Sequence, residues 1–90
     1  MKTDEILAER GKTYGNYLAQ ATICGNLRSV LVTAFRRRKI ELAPDQFDAM
    51  SMICVKLSRI VNGDPDYADN WRDIAGYATL VADRLEGKAR

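Results

Sequence analysis

"LAPDQFDAMSMICVKLSRIVNG", residues 42–63, decides the fold class. Pro44 suits the first turn of a helix, because the N–H it lacks would have no partner there. Asp45 sits where the positive helix end favours a carboxylate. From there Phe47, Met50, Ile53, Cys54, Leu57, Ile60 and Val61 recur at three- and four-residue steps and form one apolar stripe. A half-buried strand would alternate instead. Asn62-Gly63 ends the helix, and Pro65 in "NGDPD", residues 62–66, keeps it from resuming.

The same period extends in both directions. Downstream, Trp71, Ile74, Ala75, Tyr77, Ala78, Val81 and Leu85 predict a further helix, capped by Asp66, running to about Glu86 and closed by Gly87. Upstream, Tyr17, Ala21, Cys24, Leu27, Leu31, Ala34 and Phe35 predict a helix from about Asn16 to Arg38. Gly25 interrupts it, as a close helix contact or a kink. A short first helix, about residues 4–10, is expected to be capped by Thr3 and stopped by Gly11, with "GKTYG" as a turn. The expectation is one all-α domain over residues 1–90. It is a small bundle of three long helices and a short one, with the third and fourth antiparallel across a short turn.

Composition narrows the function. The 90 residues are 47% hydrophobic and 29% charged, the balance of a soluble globular domain. A core this small is expected to gain from oligomerising. A net charge of +2 is too weak to imply nucleic acid. No apolar run approaches the ~20 residues of a membrane span, and "MKTDEILAER" is acidic and amphipathic rather than secretory. There is no histidine, so a Ser–His or Cys–His nucleophile pair is excluded. Cys24 and Cys54 read as buried free thiols, and a cytoplasmic setting follows.

Three groups of residues hold possible chemistry. Asp69 and Asp73 lie four apart, on one flank of the last helix. They either bind magnesium through carboxylate oxygens or pair with Lys56 and Arg59 across an antiparallel seam. Asp45 and Asp48 form a second acid pair, at a helix start where acids are favourable anyway. "RGKTYGNY", residues 10–17, leads into a helix N-terminus, a ready anion site. Lys12 and Thr13 there are candidates to face a phosphate, and Tyr14 either packs inward or stacks on a base. It is no P-loop, since the upstream glycine spacing and a preceding strand are missing. "FRRRK", residues 35–39, is dense in charge, but consecutive residues spread around a helix and form no stripe.

"ILAERGKTYGNY", "LAPDQFDAMSMICVKLSRIVNG" and "DNWRDIAGYATL", in that order, resemble a family of small phage and prophage proteins of unknown function. Its pattern is ERxxxYG, KLxR and DxWxDxxGY. Here those are Glu9, Arg10, Tyr14 and Gly15; Lys56, Leu57 and Arg59; and Asp69, Trp71, Asp73, Gly76 and Tyr77. More distantly the layout is similar to the all-α, MazG-like nucleoside triphosphate pyrophosphohydrolases. That resemblance implies magnesium, a nucleotide substrate and a homo-oligomer. The EExxE helix of those enzymes has Met52, Lys56 and Arg59 in its place here, which leaves too few carboxylates.

The leading expectation is therefore a nucleotide- or phosphate-binding bundle that sequesters or senses its ligand. Its predicted contacts are Lys12, Thr13, Tyr14, Lys56, Arg59, Asp69, Asp73 and Tyr77, with Asp69 and Asp73 as the metal candidates. The alternatives are a divergent magnesium pyrophosphohydrolase and a protein that binds a host factor. Nucleic-acid binding ranks last.

Overall fold

The computed structural model describes residues 2–88, in four helices and, among these residues, no strand: α1 (Thr3–Tyr14), α2 (Tyr17–Arg37), α3 (Pro44–Asn62) and α4 (Ala68–Leu85). None is long and apolar enough to cross a membrane. The three long helices begin and end within a residue or two of expectation. Asn16 caps α2, its side-chain oxygen accepting from the Ala19 amide at 3.0 Å. Gly25 does not end α2, which runs on through it, and it marks no close contact, since nothing lies within reach of a Cβ there.

Two caps and one stop differ from expectation. Thr3 is the first helical residue of α1 rather than its cap, which is Lys2. Asp66 does not cap α4. Its amide turns back to the Asp64 side chain at 2.9 Å, and Tyr67 takes the cap position. Gly11 does not stop α1, which runs three residues further and ends at Gly15. A glycine inside a helix costs only about 1 kcal/mol, so the stop falls where tertiary contacts demand it.

α3 is the middle of the fold. α2 and α4 both pack on it, and they do not approach each other. Against α2, Phe35 meets Phe47 edge-on at 6.4 Å between ring centres. Cys24 and Cys54 are buried and free, as expected. Burial pushes the Cys54 thiol up, and nearby Cys24 adds to this despite Arg28. Against α4, Lys56 meets Asp73 at 3.0 Å and Asp45 meets Arg84 at 2.6 Å. The pairs run in opposite order along the two helices, so α3 and α4 are antiparallel as expected.

The result is an open three-helix layer rather than a closed bundle. The radius of gyration is 15.2 Å, against about 12 Å for a compact chain of this length. Many residues of the predicted apolar faces stay in contact with solvent, among them Leu57, Val61, Trp71 and Leu85. Gln20, Ser58, Asn70 and Asp83 are buried instead.

The Asp45–Arg84 pair makes stability sensitive to acid. Arg84 donates from Nε to Oδ2 at 2.8 Å and from Nη2 to Oδ1 at 2.6 Å. These hydrogen bonds hold the Asp45 carboxyl below its ordinary value. A pKa lower in the folded than in the unfolded chain stabilises above the ordinary carboxylate value of about 3.9 and is lost as pH falls below it. Asp45→Asn is expected to remove part of the fall in melting temperature between about pH 4 and pH 2. Parallel melting curves for the variant and wild type across that range would contradict this.

Candidate functional site

The ends of α1 and α3 dock through two glycines. Gly15 has φ +79°, a conformation that L side chains rarely adopt, and a Cβ there would strike the Asn62 carbonyl. A Cβ on Gly63 would strike the backbone of Thr13 and Tyr14. The close approach is sealed by hydrogen bonds. Asn62 Nδ2 donates to the carbonyls of Tyr14 at 3.0 Å and Asn16 at 2.9 Å. The Asp64 amide donates to the Thr13 carbonyl at 2.8 Å.

This docking sets Tyr14 beside the last turn of α3. The Arg59 guanidinium lies 4.5 Å from the centre of the Tyr14 ring, and that of Arg10, one turn back on α1, lies 5.0 Å from it. Tyr67 meets the same ring edge-on at 6.1 Å. The Asp69 charge pushes the Tyr67 phenol up, with Tyr14 adding to it, so Tyr67 stays protonated. Among the described residues neither Arg10 nor Arg59 pairs with a carboxylate, and the buried Arg59 Nε has no hydrogen-bond partner. Buried polar atoms are normally satisfied. Two cations held over one ring, without an anion, are suited to receive one.

The model of a domain of unknown function, DUF6378, matches residues 2–85. The chain belongs to the DUF6378 family. No curated protein and no solved structure matches it. In this DUF6378 chain the matched span takes in all three sequence motifs, and the fold brings parts of each to one place. Tyr14 and Gly15 come from the first motif, Arg59 from the second and Asp69 from the third.

The other predicted residues make contacts of their own outside the arginine–tyrosine stacking, and Asp69 borders the cluster at Tyr67. Lys12 is exposed and lies 3.9 Å from Glu9. The Thr13 hydroxyl donates to the Glu9 carbonyl within α1. Lys56, with only 12% of its side chain exposed, is paired with Asp73. Asp69 lies 3.7 Å from Arg72. Tyr77 lines a hollow of about 120 Å³ with Asp45, Ala49 and Leu80, toward the other end of α4. A larger hollow of about 590 Å³ is lined by α4 alone and encloses nothing.

These residues do not fit a magnesium centre. Asp69 and Asp73 face different cations, and Asp45 is held by Arg84. No group of three or more acidic or cysteine side chains gathers among the described residues. Sequence reasoning left out two members of the cluster, Arg10 and Tyr67. Arg10 had a usable signal, because it precedes Tyr14 by four residues on a helix and so shares its face. Tyr67 had none, since its position depends on how the loop after α3 turns.

Proposed function

We propose that this DUF6378 protein binds a phosphate-bearing ligand, of nucleotide class, through Arg10 and Arg59, and thereby sequesters or senses it. The observation that carries the reading is the pair of guanidiniums over Tyr14 with no carboxylate beside them. Arginine presents N–H donors in a fork that matches phosphate oxygens. Tyr14 serves to hold the two arginines, because its ring is already taken up by them and by Tyr67. The first-turn amides of α2, two residues beyond Gly15, add a second source of positive potential. The place among phage and prophage proteins rests on the three sequence motifs, and the nucleotide class on the more distant MazG-like resemblance. The homo-oligomer rests on that resemblance and the small core, and the cytoplasmic setting on the free thiols. Binding without magnesium is preferred to hydrolysis, because the acids that would hold the metal are paired.

The test is thermal unfolding with nucleoside mono-, di- and triphosphates and cyclic nucleotides, each with and without magnesium. At a hundredfold excess over its dissociation constant, a ligand stabilises by roughly 2.7 kcal/mol. The expected result is a magnesium-independent shift that Arg59→Met cuts by about half or more at the same ligand concentration. Losing one charge-assisted contact of about 1.5–3 kcal/mol weakens binding by roughly 10- to 100-fold. Wild type that shifts with none of these ligands would overturn the reading. A shift that appears only with magnesium would restore the hydrolase.

A further inference from the structure

The three long helices form a single layer, and its two sides differ in chemistry. On α3, the residues facing α2 (Phe47, Met50, Cys54) and those facing α4 (Asp45, Ala49, Lys56) lie on nearly opposite sides at ~100° per residue. One free side between them carries Ile53 and Leu57 and no charge. The other carries Asp48, Val55 and Arg59. The antiparallel neighbours continue the uncharged side with Leu27 and Val30 of α2 and with Trp71 and Leu85 of α4. The exposures are 37% for Leu27 and Leu57, 52% for Trp71, 60% for Leu85 and 69% for Val30. An amphipathic layer is stable when a second layer covers its apolar face.

We infer that the second layer is another copy of this chain, packed face to face by a two-fold axis. The area fits. The chain exposes 6613 Å², whereas a compact protein of its mass exposes about 5,300 Å². The excess of about 1,300 Å² per chain exceeds the roughly 800 Å² that each partner of a stable complex buries. The chemistry fits as well. A two-fold interface sets a patch against itself, and the uncharged side of α3 meets its own copy without like-charge repulsion. Arg59 lies on the far side of α3 from Leu57, so the dimer leaves both arginine clusters open. The inference deepens the homo-oligomer part of the proposed function and is independent of the ligand.

Sedimentation and light scattering on the intact chain test it, together with the emission of Trp71, the sole tryptophan. At tens of micromolar the expected mass is twice 10.1 kDa. Dilution should red-shift the Trp71 emission as the mass falls. Leu57→Glu and Leu27→Glu change exposed positions and should give helical monomers, checked by circular dichroism. Leu80→Glu, on the other side of the layer, should remain dimeric. A monomeric wild type would overturn the inference. So would Trp71 emission unchanged by dissociation, or helical Leu57→Glu and Leu27→Glu chains that keep the wild-type mass. Because none of these readings uses a nucleotide, failure here is separable from failure of ligand binding.

Discussion

Gly15→Ala is expected to melt at least about 10 °C below wild type at equal protein concentration. Two costs coincide at this residue. Its φ of +79° strains any L side chain, and the added methyl strikes the Asn62 carbonyl. The struck atom is backbone at the end of α3 and has nowhere to move without breaking the bonds that Asn62 makes to Tyr14 and Asn16. Strain and a lost joint together amount to about 3 kcal/mol, and each kcal/mol moves the melting temperature of a domain this size by roughly 4–8 °C. The matched control is Gly25→Ala on the open side of α2, where a Cβ meets nothing. It should stabilise by about 0.5–1 kcal/mol. Equal melting temperatures for the two variants would show that the α1–α3 joint is not held as described.

Asp73→Ala is expected to lower stability by about 1–2 kcal/mol, read as a denaturation midpoint shifted at unchanged slope. The loss arises at Lys56. Its side chain is 12% exposed, and without Asp73 at 3.0 Å the ammonium has no carboxylate beside it. Asp73 is itself 48% exposed, which screens the pair and keeps the loss below that of a fully buried one. Lys56→Met should cost little alone and should rescue most of the Asp73→Ala loss, a coupling of roughly 1 kcal/mol in a double-mutant cycle. Additive losses would remove Lys56 as the partner. Magnesium stabilising wild type but not Asp73→Ala would make the carboxylate a ligand instead.

The fold was legible in the sequence wherever one helix face carried the signal. α3 and α4 have unbroken apolar periodicity and hard stops, so their limits and antiparallel pairing followed from the residues. The Lys56–Asp73 contact followed too, because both residues flank the stripes that had to meet. Contacts set by distant residues were not legible. Gly11 has the local chemistry of a stop, yet α1 ends at Gly15 because Asn62 and Gly63, nearly fifty residues away, accept the chain there and nowhere earlier. Lys12 and Thr13 follow Gly11 on a continuing helix and turn to Glu9. Arg59 and Tyr14 were singled out separately, and only the joint shows that they touch. An apolar residue is also silent about what covers it. Trp71 and Leu57 read as core, and in the chain alone they face solvent.

α1 buries no residue of its own. Its hold on the rest of the chain is concentrated in its last turn, at the bonds from Asn62 and Asp64. With no buried residue of its own, α1 opens at a free energy below that of global unfolding and set by this joint. Opening it carries Arg10 away and swings Tyr14 off Arg59, so half of the arginine cluster comes and goes with one helix. Measured affinity for an anion would then be the intrinsic affinity scaled by the fraction of time α1 is seated. An anion that bridges the two guanidiniums would in turn slow amide exchange along α1. On the proposed reading, recognition and local order at the N-terminal helix are a single equilibrium.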